Sequence, residues 1–369
     1  MTKTIIEFIH ELGDGGGSVI VKEYCLRLRK DGYRVIVLLA FPAPQTTNYR
    51  ILKEAGIEIV TVFKNKSFLN RLLNKLFSRF LISRKLRILN MQYKPKAIHA
   101  HLCVLKYISP IRKSLYSTKL LYTCHSLPEK YFKGKNKEEY YAAVKLIKSN
   151  GMQFIALHED MAEKLNEMFG IHNTEVLYNG IDIERFKCVN ESRKDIRESI
   201  GFKDSDFIIG HVGRFTEPKN HKFIVECFQY FSEKNSSARL LLIGAGDWLP
   251  EILNSIEQYG LTEKVKILSH RTDVERLMKA MDVFIFPSLY EGLGIAVVEA
   301  QAAGLRCVIS DNIPKFAVVS NQIICLSLND SLDKWSEALS GRGKFLTPYS
   351  QLSKYDMNLI IKKLESLYE

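Results

Sequence analysis

The sequence predicts an α/β protein built from two doubly wound, parallel sheets. Short apolar runs rich in β-branched residues alternate with longer helical patterns along the chain, as expected for parallel sheets covered by helices on both faces. The runs number twelve, which fits two sheets better than one over 369 residues. A turn and a strongly charged segment at 179–206 divide them into two groups. We therefore expect one domain over residues 1–178 and a second over residues 179–351.

The predicted strands follow one another at short intervals, with a helical pattern between nearly every pair. They lie near residues 4–9, 33–40, 57–62, 97–101, 119–123, 153–157, 174–177, 207–212, 238–243, 264–268, 282–286 and 306–310. Ligands of such sheets bind at the carboxyl ends of the strands. Two domains that face each other would therefore form a cleft lined by their loops, and we expect the functional residues there.

Composition restricts the cellular compartment. Seven cysteines are scattered and form no Cys-x-x-Cys pair, which is typical of buried thiols in a reducing compartment rather than of a disulfide framework. Acidic residues interrupt the first apolar run, unlike a signal peptide. No run reaches the ~20 apolar residues that a membrane-spanning helix needs. We expect a cytoplasmic protein.

The positive charge is concentrated in one part of the chain. The net charge is +12, and fourteen Lys and Arg residues but no Asp or Glu fall between Ile59 and Pro128. Within this window, residues 68–89 predict an amphipathic helix with a basic polar side. Such a helix either covers the sheet with a solvated charged edge or docks on anionic lipid. Nucleic acid is not an expected partner, because the window has no recognisable nucleic-acid motif and no interleaved aromatic residues.

The segment 283–304 carries the strongest functional signal. It opens with an apolar run typical of a buried strand, turns through Pro287, Gly292 and Gly294, and continues as an Ala-rich helical pattern up to Gly304. The first N–H groups of a helix are unpaired and lie at the positive end of its dipole, so a helix that follows a glycine loop can bind an anion.

Two carboxylates bracket this predicted anion site. Glu291 lies in the loop and Glu299 about a turn and a half into the helix, with seven residues between them. An ionised carboxylate only accepts hydrogen bonds, which suits it to the vicinal hydroxyls of a ribose or a sugar. An anion and a polyol together indicate a nucleotide sugar. The loop residues predicted to bind this donor are Gly292, Leu293, Gly294 and Ile295.

A second loop supplies basic residues. Gly213 and Arg214 follow the predicted strand at 207–212, and Lys219 comes five residues after Arg214. A guanidinium and an ammonium at this place could neutralise a diphosphate. A third element, the turn that begins at Asn179, lies near the expected domain junction.

These three elements resemble the retaining glycosyltransferases of family 4, which have the GT-B fold of two Rossmann-like domains facing each other across a cleft. The similarity spans most of the chain, and the Lys-Asn-His sequence at 219–221 is similar to that of enzymes of capsular and exopolysaccharide assembly. The resemblance implies a transferase that moves a sugar from a nucleoside diphosphate to a hydroxyl of a glycan. It implies UDP rather than GDP as the favoured nucleotide, retention of configuration, and no metal or other cofactor.

The resemblance also implies a role for each candidate residue. Glu299 would hold the ribose hydroxyls, and Glu291 the donor sugar. Arg214 and Lys219 would stabilise the charge on the departing diphosphate, and Asn179 and Gly213 would contact the donor. From the N-terminal domain, the glycine loop after the first strand and a histidine after the fifth would shape the sugar pocket. These residues are Gly16, Gly17 and His125.

Two further expectations follow from the same resemblance. The last helical pattern, at 352–369, would pack back on the N-terminal domain. The acceptor would be a lipid-linked polysaccharide intermediate presented at a membrane. We therefore favour docking of the basic helix 68–89 on the inner face of the cell membrane, and a peripheral association with it.

Two patterns that suggest a metal are interpreted otherwise. His99 and His101 alternate on one strand and point to the same face, but the sequence offers no evident third ligand, and His101 is instead a candidate for lining the cleft. Asp204-Ser205-Asp206 resembles the Asp-x-Asp of metal-dependent transferases of another fold, yet it lies in a polar turn and is interpreted as a loop.

Two positions depart from the family pattern. Arg306 stands where proline is common, and Phe316 stands where the relatives usually carry glutamate. Phe316 is the one feature that points to a catalytically silent sugar-nucleotide-binding partner of another transferase, which remains an alternative. A nucleotide-sugar epimerase of the same fold is a further alternative.

Overall fold

The computed structural model describes residues 3–13, 15–63, 68–132, 136–341 and 345–369, without the side chains of residues 68–76. The chain forms two compact units. The first comprises Met1–Asn179 and Asn358–Glu369, and the second comprises Gly180–Met357. The sequence placed the boundary at 178/179 and the return of the chain at 352, whereas in the structure these points lie at 179/180 and 357/358.

The first unit contains a seven-stranded sheet whose neighbouring strands run parallel. Its strands are β1 (Thr4–Ile9), β2 (Arg34–Leu39), β3 (Glu58–Thr61), β4 (Ala97–His101), β5 (Lys119–Thr123), β6 (Gln153–Ala156) and β7 (Glu175–Val176). They lie in the order β3-β2-β1-β4-β5-β6-β7. Strands β1 and β4 are buried along their full length, and they bury three polar side chains, Glu7, His99 and His101.

The second unit contains a six-stranded parallel sheet. Its strands are β8 (Phe207–Val212), β9 (Ala238–Ile243), β10 (Val265–Leu268), β11 (Val283–Phe286), β12 (Arg306–Ser310) and β13 (Ile323–Leu326). They lie in the order β10-β9-β8-β11-β12-β13. Phe228, Phe231 and Trp335 belong to the apolar core of this unit. Full burial of one such side chain stabilises the fold by about 1.5–3 kcal/mol, so these residues fix the helices on the sheet.

Helices connect most of the strands in both units. They are α1 (Gly16–Lys30), α2 (Thr47–Glu54), α3 (Phe68–Tyr93), α4 (Leu105–Ile108), α5 (Pro128–Phe132), α6 (Lys137–Asn150), α7 (Glu159–Phe169), α8 (Ile183–Lys187), α9 (Arg193–Ser199), α10 (His221–Lys234), α11 (Leu249–Gln258), α12 (Val274–Ala280), α13 (Ile295–Ala302), α14 (Leu332–Leu339), α15 (Tyr349–Leu352) and α16 (Met357–Tyr368). Among the residues the structure describes, every helix is too short or too polar to cross a membrane.

The structure confirms the two parallel α/β sheets and corrects the number of strands. The sequence predicted twelve strands, but the described residues also form β13 at the edge of the second sheet. This strand is a run of only four residues, Ile323–Leu326, and it is partly exposed. Its apolar signal is therefore short and flanked by polar residues on both sides.

The last predicted helix begins later than the sequence indicated. The pattern suggested a continuous helix from Leu352 to Tyr368, whereas α16 begins at Met357. The residue before it, Asp356, pairs with Ile181 as an isolated β-bridge. Ile181 N–H donates to Tyr355 O at 2.7 Å, and Met357 N–H donates to Ile181 O at 3.0 Å. These bonds hold Asp356 extended and interrupt the helix.

In each sheet the strand order reverses at one place. The reversal lies between β1 and β4 in the first sheet and between β8 and β11 in the second. Loops that leave neighbouring strands in opposite directions open a crevice there, and ligands of parallel α/β sheets bind in it. The topology therefore marks the carboxyl ends of these four strands as candidate sites.

Candidate functional site

In the second unit, the two loops with predicted donor-binding residues leave the two strands at the reversal. Gly213 and Arg214 directly follow β8, and Lys219 ends a short 3₁₀ turn over Glu217–Lys219. The loop with Glu291 follows β11 and leads into α13. The sequence motifs thus lie where the topology places a crevice.

Lys219 and Glu291 contact each other across these loops. Lys219 Nζ lies 2.6 Å from Glu291 Oε1, and both side chains are largely buried. The same ammonium lies 4.6 Å from the ring centroid of Phe286, the last residue of β11, which is a cation–π distance. The lysine is therefore held in place between a carboxylate and an aromatic face.

Backbone contacts fix the two loops together. Leu289 N–H donates to Pro218 O at 2.8 Å, and Asn220 Nδ2 donates to Pro287 O at 3.2 Å. Asn220 has a left-handed backbone with φ of 55° immediately before α10 begins. These bonds hold together the loop after β8, at 213–220 (the basic loop), and the loop after β11, at 287–294 (the acidic loop).

Glycine is required at two of the predicted positions. A Cβ on Gly213 would lie 2.8 Å from His211 Nε2 and 3.3 Å from the Lys219 side chain, so the lysine passes close to a bare backbone. Gly294 has φ of 81° and is the N-cap of α13, a conformation that other residues adopt only with strain. Both glycines therefore shape the loops that carry the charged groups.

Helix α13 begins at Ile295, so Glu299 lies about one turn inside it. Gly292, Leu293, Gly294 and Ile295 form the last part of the loop and the helix start, as the sequence predicted. The helix ends at Ala302 rather than at Gly304. Arg214 is exposed, whereas Glu299 is half-buried.

Two buried histidines, His211 and His221, lie behind the basic loop, and no role was predicted for either of them. His211 Nδ1 donates to Ile285 O at 2.9 Å, and its ring centroid lies 4.9 Å from that of His221. Burial lowers the pKa of His221 to about 3, with a further contribution from Lys219, and burial lowers the pKa of His211 well below its usual range. Both rings are therefore neutral and add no positive charge to the site.

In the first unit, the structure brings the predicted glycine loop and His125 together. A Cβ on Gly17 would lie 3.4 Å from Cγ of the His125 ring and 3.6 Å from its Nδ1. Gly16 and Gly17 are the first two residues of α1, so the glycines open the helix instead of ending the loop before it. His125 follows β5 by two residues.

His125 also contacts a buried polar network that the sequence did not predict. His125 Nε2 lies 3.0 Å from His101 Nδ1, and His101 Nε2 lies 2.7 Å from Glu7 Oε2. Glu7 is paired in register with His99 across β1 and β4. Glu7 thus supplies a carboxylate next to His99 and His101. It is the third potential metal ligand that was not evident in the sequence.

The composition of this cluster is compatible with a metal, but its polar atoms already contact one another. Ligand atoms of Glu7, His99 and His101 lie within 4.8 Å of one another. Tyr368 O–H donates to Glu7 Oε1 at 2.9 Å, and His99 Nδ1 lies 2.8 Å from Tyr368 Oη. Each of the three side chains thus has a hydrogen-bond partner within this group of residues.

The protonation states of the network follow from burial. Burial lowers the pKa of His101 to about 4 and that of His125 well below its usual range, so both imidazoles are neutral at pH 7. Burial alone would raise the pKa of Glu7, but the adjacent His99 and His101 outweigh this effect and lower it. The structure therefore contains a buried, ionised carboxylate beside the neutral ring of His101.

The structure also places the other residues that the sequence singled out. Asn179 is the last residue of the first unit and is buried. Arg306 begins β12, where its guanidinium lies over Gly341. Phe316 lies in a short 3₁₀ turn, and its carbonyl accepts a hydrogen bond from Tyr355. Asp204-Ser205-Asp206 precedes β8 as the predicted turn.

Helix α3 confirms the helix predicted at 68–89, but it buries a different stripe. The periodicity predicted an apolar stripe of pairs at 68/69, 72/73, 76/77 and 80/81, of which 68/69, 72/73 and residue 76 lie outside the described side chains. Phe77 and Phe80 are 54% and 66% exposed. The residues that pack inward are Ile82, Leu86 and Leu89.

Family models match the two halves of the chain. The model "Glycosyltransferase Family 4" matches residues 14–185, and the model "Glycosyl transferases group 1" matches residues 192–322. The first match includes the glycine loop and His125. The second includes the basic loop and both glutamates of the second unit.

The curated relatives of the chain are also named as glycosyltransferases. The chain is 34% identical to a putative glycosyltransferase, EpsF, of Bacillus subtilis over 226 residues, which are 59% of this chain and 58% of that one. It is 31% identical over 196 residues to the UDP-Gal:alpha-D-GlcNAc-diphosphoundecaprenol alpha-1,3-galactosyltransferase of Escherichia coli, covering 51% of this chain and 50% of the relative. The alignments thus span little more than half the length of these two relatives.

A solved structure has the same fold over nearly the entire chain. HepE of Anabaena, crystallised in complex with UDP and glucose, superposes with a TM-score of 0.75 at 19% identity and covers 98% of both chains.

Proposed function

This chain belongs to the glycosyltransferases, and we propose that it transfers a sugar from a nucleoside-diphosphate sugar to a hydroxyl of a glycan. The observation that carries the proposal is the contact between the basic and the acidic loop at the strand-order reversal of the second sheet. There, Lys219 Nζ lies 2.6 Å from Glu291 Oε1, next to the glycine-capped start of α13. A cation, a carboxylate and a helix N-terminus are the groups that a nucleotide sugar requires.

The reaction moves negative charge onto the diphosphate. When the bond between the sugar carbon and the phosphate oxygen breaks, its electron pair stays on that oxygen. Arg214 and Lys219 would stabilise this charge, because fixed cations aimed at a developing anion lower the barrier without reorganising. They supply the positive charge that other transferases take from a metal, so we propose a reaction that needs none.

We propose that the sugar keeps its configuration, as the family resemblance implies. The acceptor hydroxyl would attack on the face from which the diphosphate departs. Its oxygen forms the new bond to the sugar carbon, and its proton passes to the departing phosphate oxygen. Glu299 would hold the ribose hydroxyls, and Glu291 would hold the donor sugar.

The names of the relatives support a choice of donor and acceptor. The Escherichia coli relative uses UDP-Gal and an acceptor linked to diphosphoundecaprenol, as its name states, and HepE was crystallised with UDP. We therefore propose UDP as the nucleotide and a lipid-linked polysaccharide intermediate as the acceptor.

The outer face of α3 supports a membrane contact. Phe77, Phe80 and Met91 are exposed and recur at helical spacing on the face opposite to Ile82 and Leu86. The exposed residues Arg84 and Arg87 lie on the same outer face. Exposed aromatic rings beside arginines suit the interface of an anionic membrane, where a lipid-linked acceptor is available.

A donor panel tests the proposed function. Thermal stabilisation and slow release of nucleoside diphosphate are measured with UDP-Glc, UDP-Gal, UDP-GlcNAc, UDP-GalNAc and GDP-Man, for the natural protein and for Glu299→Ala. We expect one UDP-sugar to stabilise the protein and to be hydrolysed, with both effects lost in the variant. Binding without release, even after lipid-linked acceptors are added, would indicate a catalytically silent partner. Absence of any binding would refute the site.

A further inference from the structure

In the buried network of the first unit, each hydrogen bond has a defined donor and a defined acceptor. Glu7, His101 and His125 lie on or just after β1, β4 and β5, which are neighbours in the sheet. The contacts run from Glu7 Oε2 to His101 Nε2 at 2.7 Å, and from His101 Nδ1 to His125 Nε2 at 3.0 Å. Glu7 and His101 have no exposed surface, so solvent does not compete for these bonds.

The charge at one end fixes the position of each proton. An ionised carboxylate only accepts hydrogen bonds, so His101 Nε2 must carry a proton and donate it to Glu7. Nδ1 of the same neutral ring then has a lone pair and accepts from His125 Nε2–H. The proton of His125 is therefore on Nε2, and the lone pair of its Nδ1 is available.

A side branch satisfies the other oxygen of Glu7. Tyr368 O–H donates to Glu7 Oε1 at 2.9 Å, and its oxygen accepts from His99 Nδ1 at 2.8 Å. His99 Nε2 lies 2.7 Å from Oγ1 of Thr123. These contacts hold Glu7 in place and leave the hydrogen bonds from Glu7 to His101 and from His101 to His125 as described.

The series of hydrogen bonds ends at His125, whose Nδ1 has a free lone pair beside the glycine loop. His125 Nδ1 is a buried atom with no hydrogen-bond partner among the described residues, and it lies against Gly17. A buried acceptor that stays unpaired costs about 1–3 kcal/mol. The structure thus maintains an unpaired acceptor beside the glycine loop, and the family resemblance assigns both this loop and His125 to the sugar pocket.

We infer that Glu7 and His101 are positioning residues that hold His125 in the Nε2–H tautomer, so that its Nδ1 accepts a hydrogen bond from a hydroxyl of the donor sugar. This inference rests on the proposed function for the identity of the ligand. The tautomers themselves depend only on contacts within the first unit.

Nitrogen NMR of the ligand-free protein labelled with ¹⁵N-histidine tests the tautomers directly. A His125→Gln variant identifies the signals of His125 among the nine histidines of the chain. We expect His125 and His101 each to be protonated at Nε2 alone. In Glu7→Gln the amide can donate to His101, so the fixed order is lost and His125 Nδ1 shifts toward the signal of a protonated nitrogen. Tyr368→Phe keeps the contact between Glu7 and His101, and should alter His99 while leaving His125 unchanged.

Three results would overturn the inference. His125 could be protonated at Nδ1 in the natural protein, or its signals could be the same in Glu7→Gln. His101 Nε2 could also lack a proton and bind added Zn²⁺, which would make the cluster a metal site. Because no ligand is present, none of these results depends on the proposed function.

A binding comparison tests the ligand. Glu7→Gln should weaken the hydrolysable UDP-sugar about tenfold, which corresponds to one hydrogen bond, and should leave the affinity for UDP unchanged. Equal affinities of the variant and the natural protein for the UDP-sugar, or an equal loss for both ligands, would refute the contact between His125 and the sugar. If no nucleotide binds the natural protein, the proposed function fails while the NMR result stands.

Discussion

The ammonium of Lys219 lies 2.6 Å from a carboxylate oxygen of Glu291, although 72 positions separate the two residues in the chain. The pair joins the loops after β8 and β11, the two strands between which the strand order reverses. It keeps a cation and a carboxylate at a fixed distance before any donor arrives. A donor diphosphate would therefore meet a lysine that is already oriented.

Replacement of Lys219 by Ala should remove most of the transferase activity. We expect kcat/KM to fall by roughly 100- to 1,000-fold, as when one donor to a developing anion is lost. The measurement is the initial rate of nucleoside diphosphate release with the preferred donor. Lys234→Ala is the matched control, because Lys234 forms an exposed ion pair with Asp333 in the same unit. Similar rates for the two variants would contradict the role of Lys219.

Substitutions at Gly294 and Gly260 should lower stability alike but differ in their effect on activity. Gly294→Ala places a side chain at φ of 81°, which costs about 1–2 kcal/mol. Gly260→Ala carries a comparable cost, since Gly260 has φ of 64° and open space around its Cβ position. Both variants should melt at lower temperature than the natural protein.

Only the first of these variants should lose activity. Gly294 caps α13, so a shifted backbone there displaces the N–H groups at the helix start and should reduce kcat/KM about tenfold or more. Gly260→Ala should keep the natural rate at a temperature where both variants are folded. A rate loss of the same size in both would show that the effect of Gly294→Ala is only a loss of stability.

The buried histidines predict that stability falls in mild acid. The pKa of His221 is about 3 in the folded protein and about 6.5 in an unfolded chain. Between these values the unfolded state binds a proton that the folded state does not, so each lower pH unit removes up to about 1.4 kcal/mol of stability. His101, with a pKa of about 4, acts in the same direction.

Replacing His221 should therefore flatten the pH dependence. In His221→Phe, the melting temperature should change less between pH 7.5 and pH 5 than in the natural protein. The exposed His172, replaced by Gln, is the control and should keep the natural dependence. An unchanged slope in His221→Phe would show that the folded state does not lower the pKa of His221.

The exposed face of α3 predicts loss of lipid binding when its aromatic residues are removed. Burying one phenylalanine contributes about 1.5–3 kcal/mol, so Phe77→Ser with Phe80→Ser should weaken binding to vesicles containing phosphatidylglycerol by at least about tenfold. Co-sedimentation with the vesicles measures the bound fraction. The control removes two exposed aromatic residues from other elements, Tyr116 and Tyr141. Equal binding of both double variants would refute docking through α3.

The fold and the second-unit loops could be predicted from the sequence because their signals are local. Buried parallel strands are short apolar runs, and loops at the carboxyl ends of neighbouring strands must approach one another. For this reason Lys219 and Glu291 could be assigned to one site before their contact was seen. The periodicity of α3 also predicted a helix, but it did not show which apolar stripe faces the sheet.

The first-unit network could not be predicted, because its contacts depend on register and on distant residues. Glu7 looks like an interruption of an apolar strand, and only its pairing with His99 across β1 and β4 reveals its partners. Tyr368 lies 361 positions from Glu7, and no local pattern links the two. The His-x-His pattern could be recognised in the sequence. The role of Glu7, which accepts the proton of His101 Nε2, could not.

The contact between Tyr368 and Glu7 also bears on the order in which the molecule is made. Residues 180–357 contain the entire second unit, so this unit can fold as soon as it leaves the ribosome. The first unit still lacks residues 358–369 at that moment, including the phenol that completes the hydrogen bonds of Glu7. Domains usually mature from the N-terminus onward during translation. In this chain the first unit is completed only after the second, and Glu7 gains its full set of hydrogen bonds only when Tyr368 is in place.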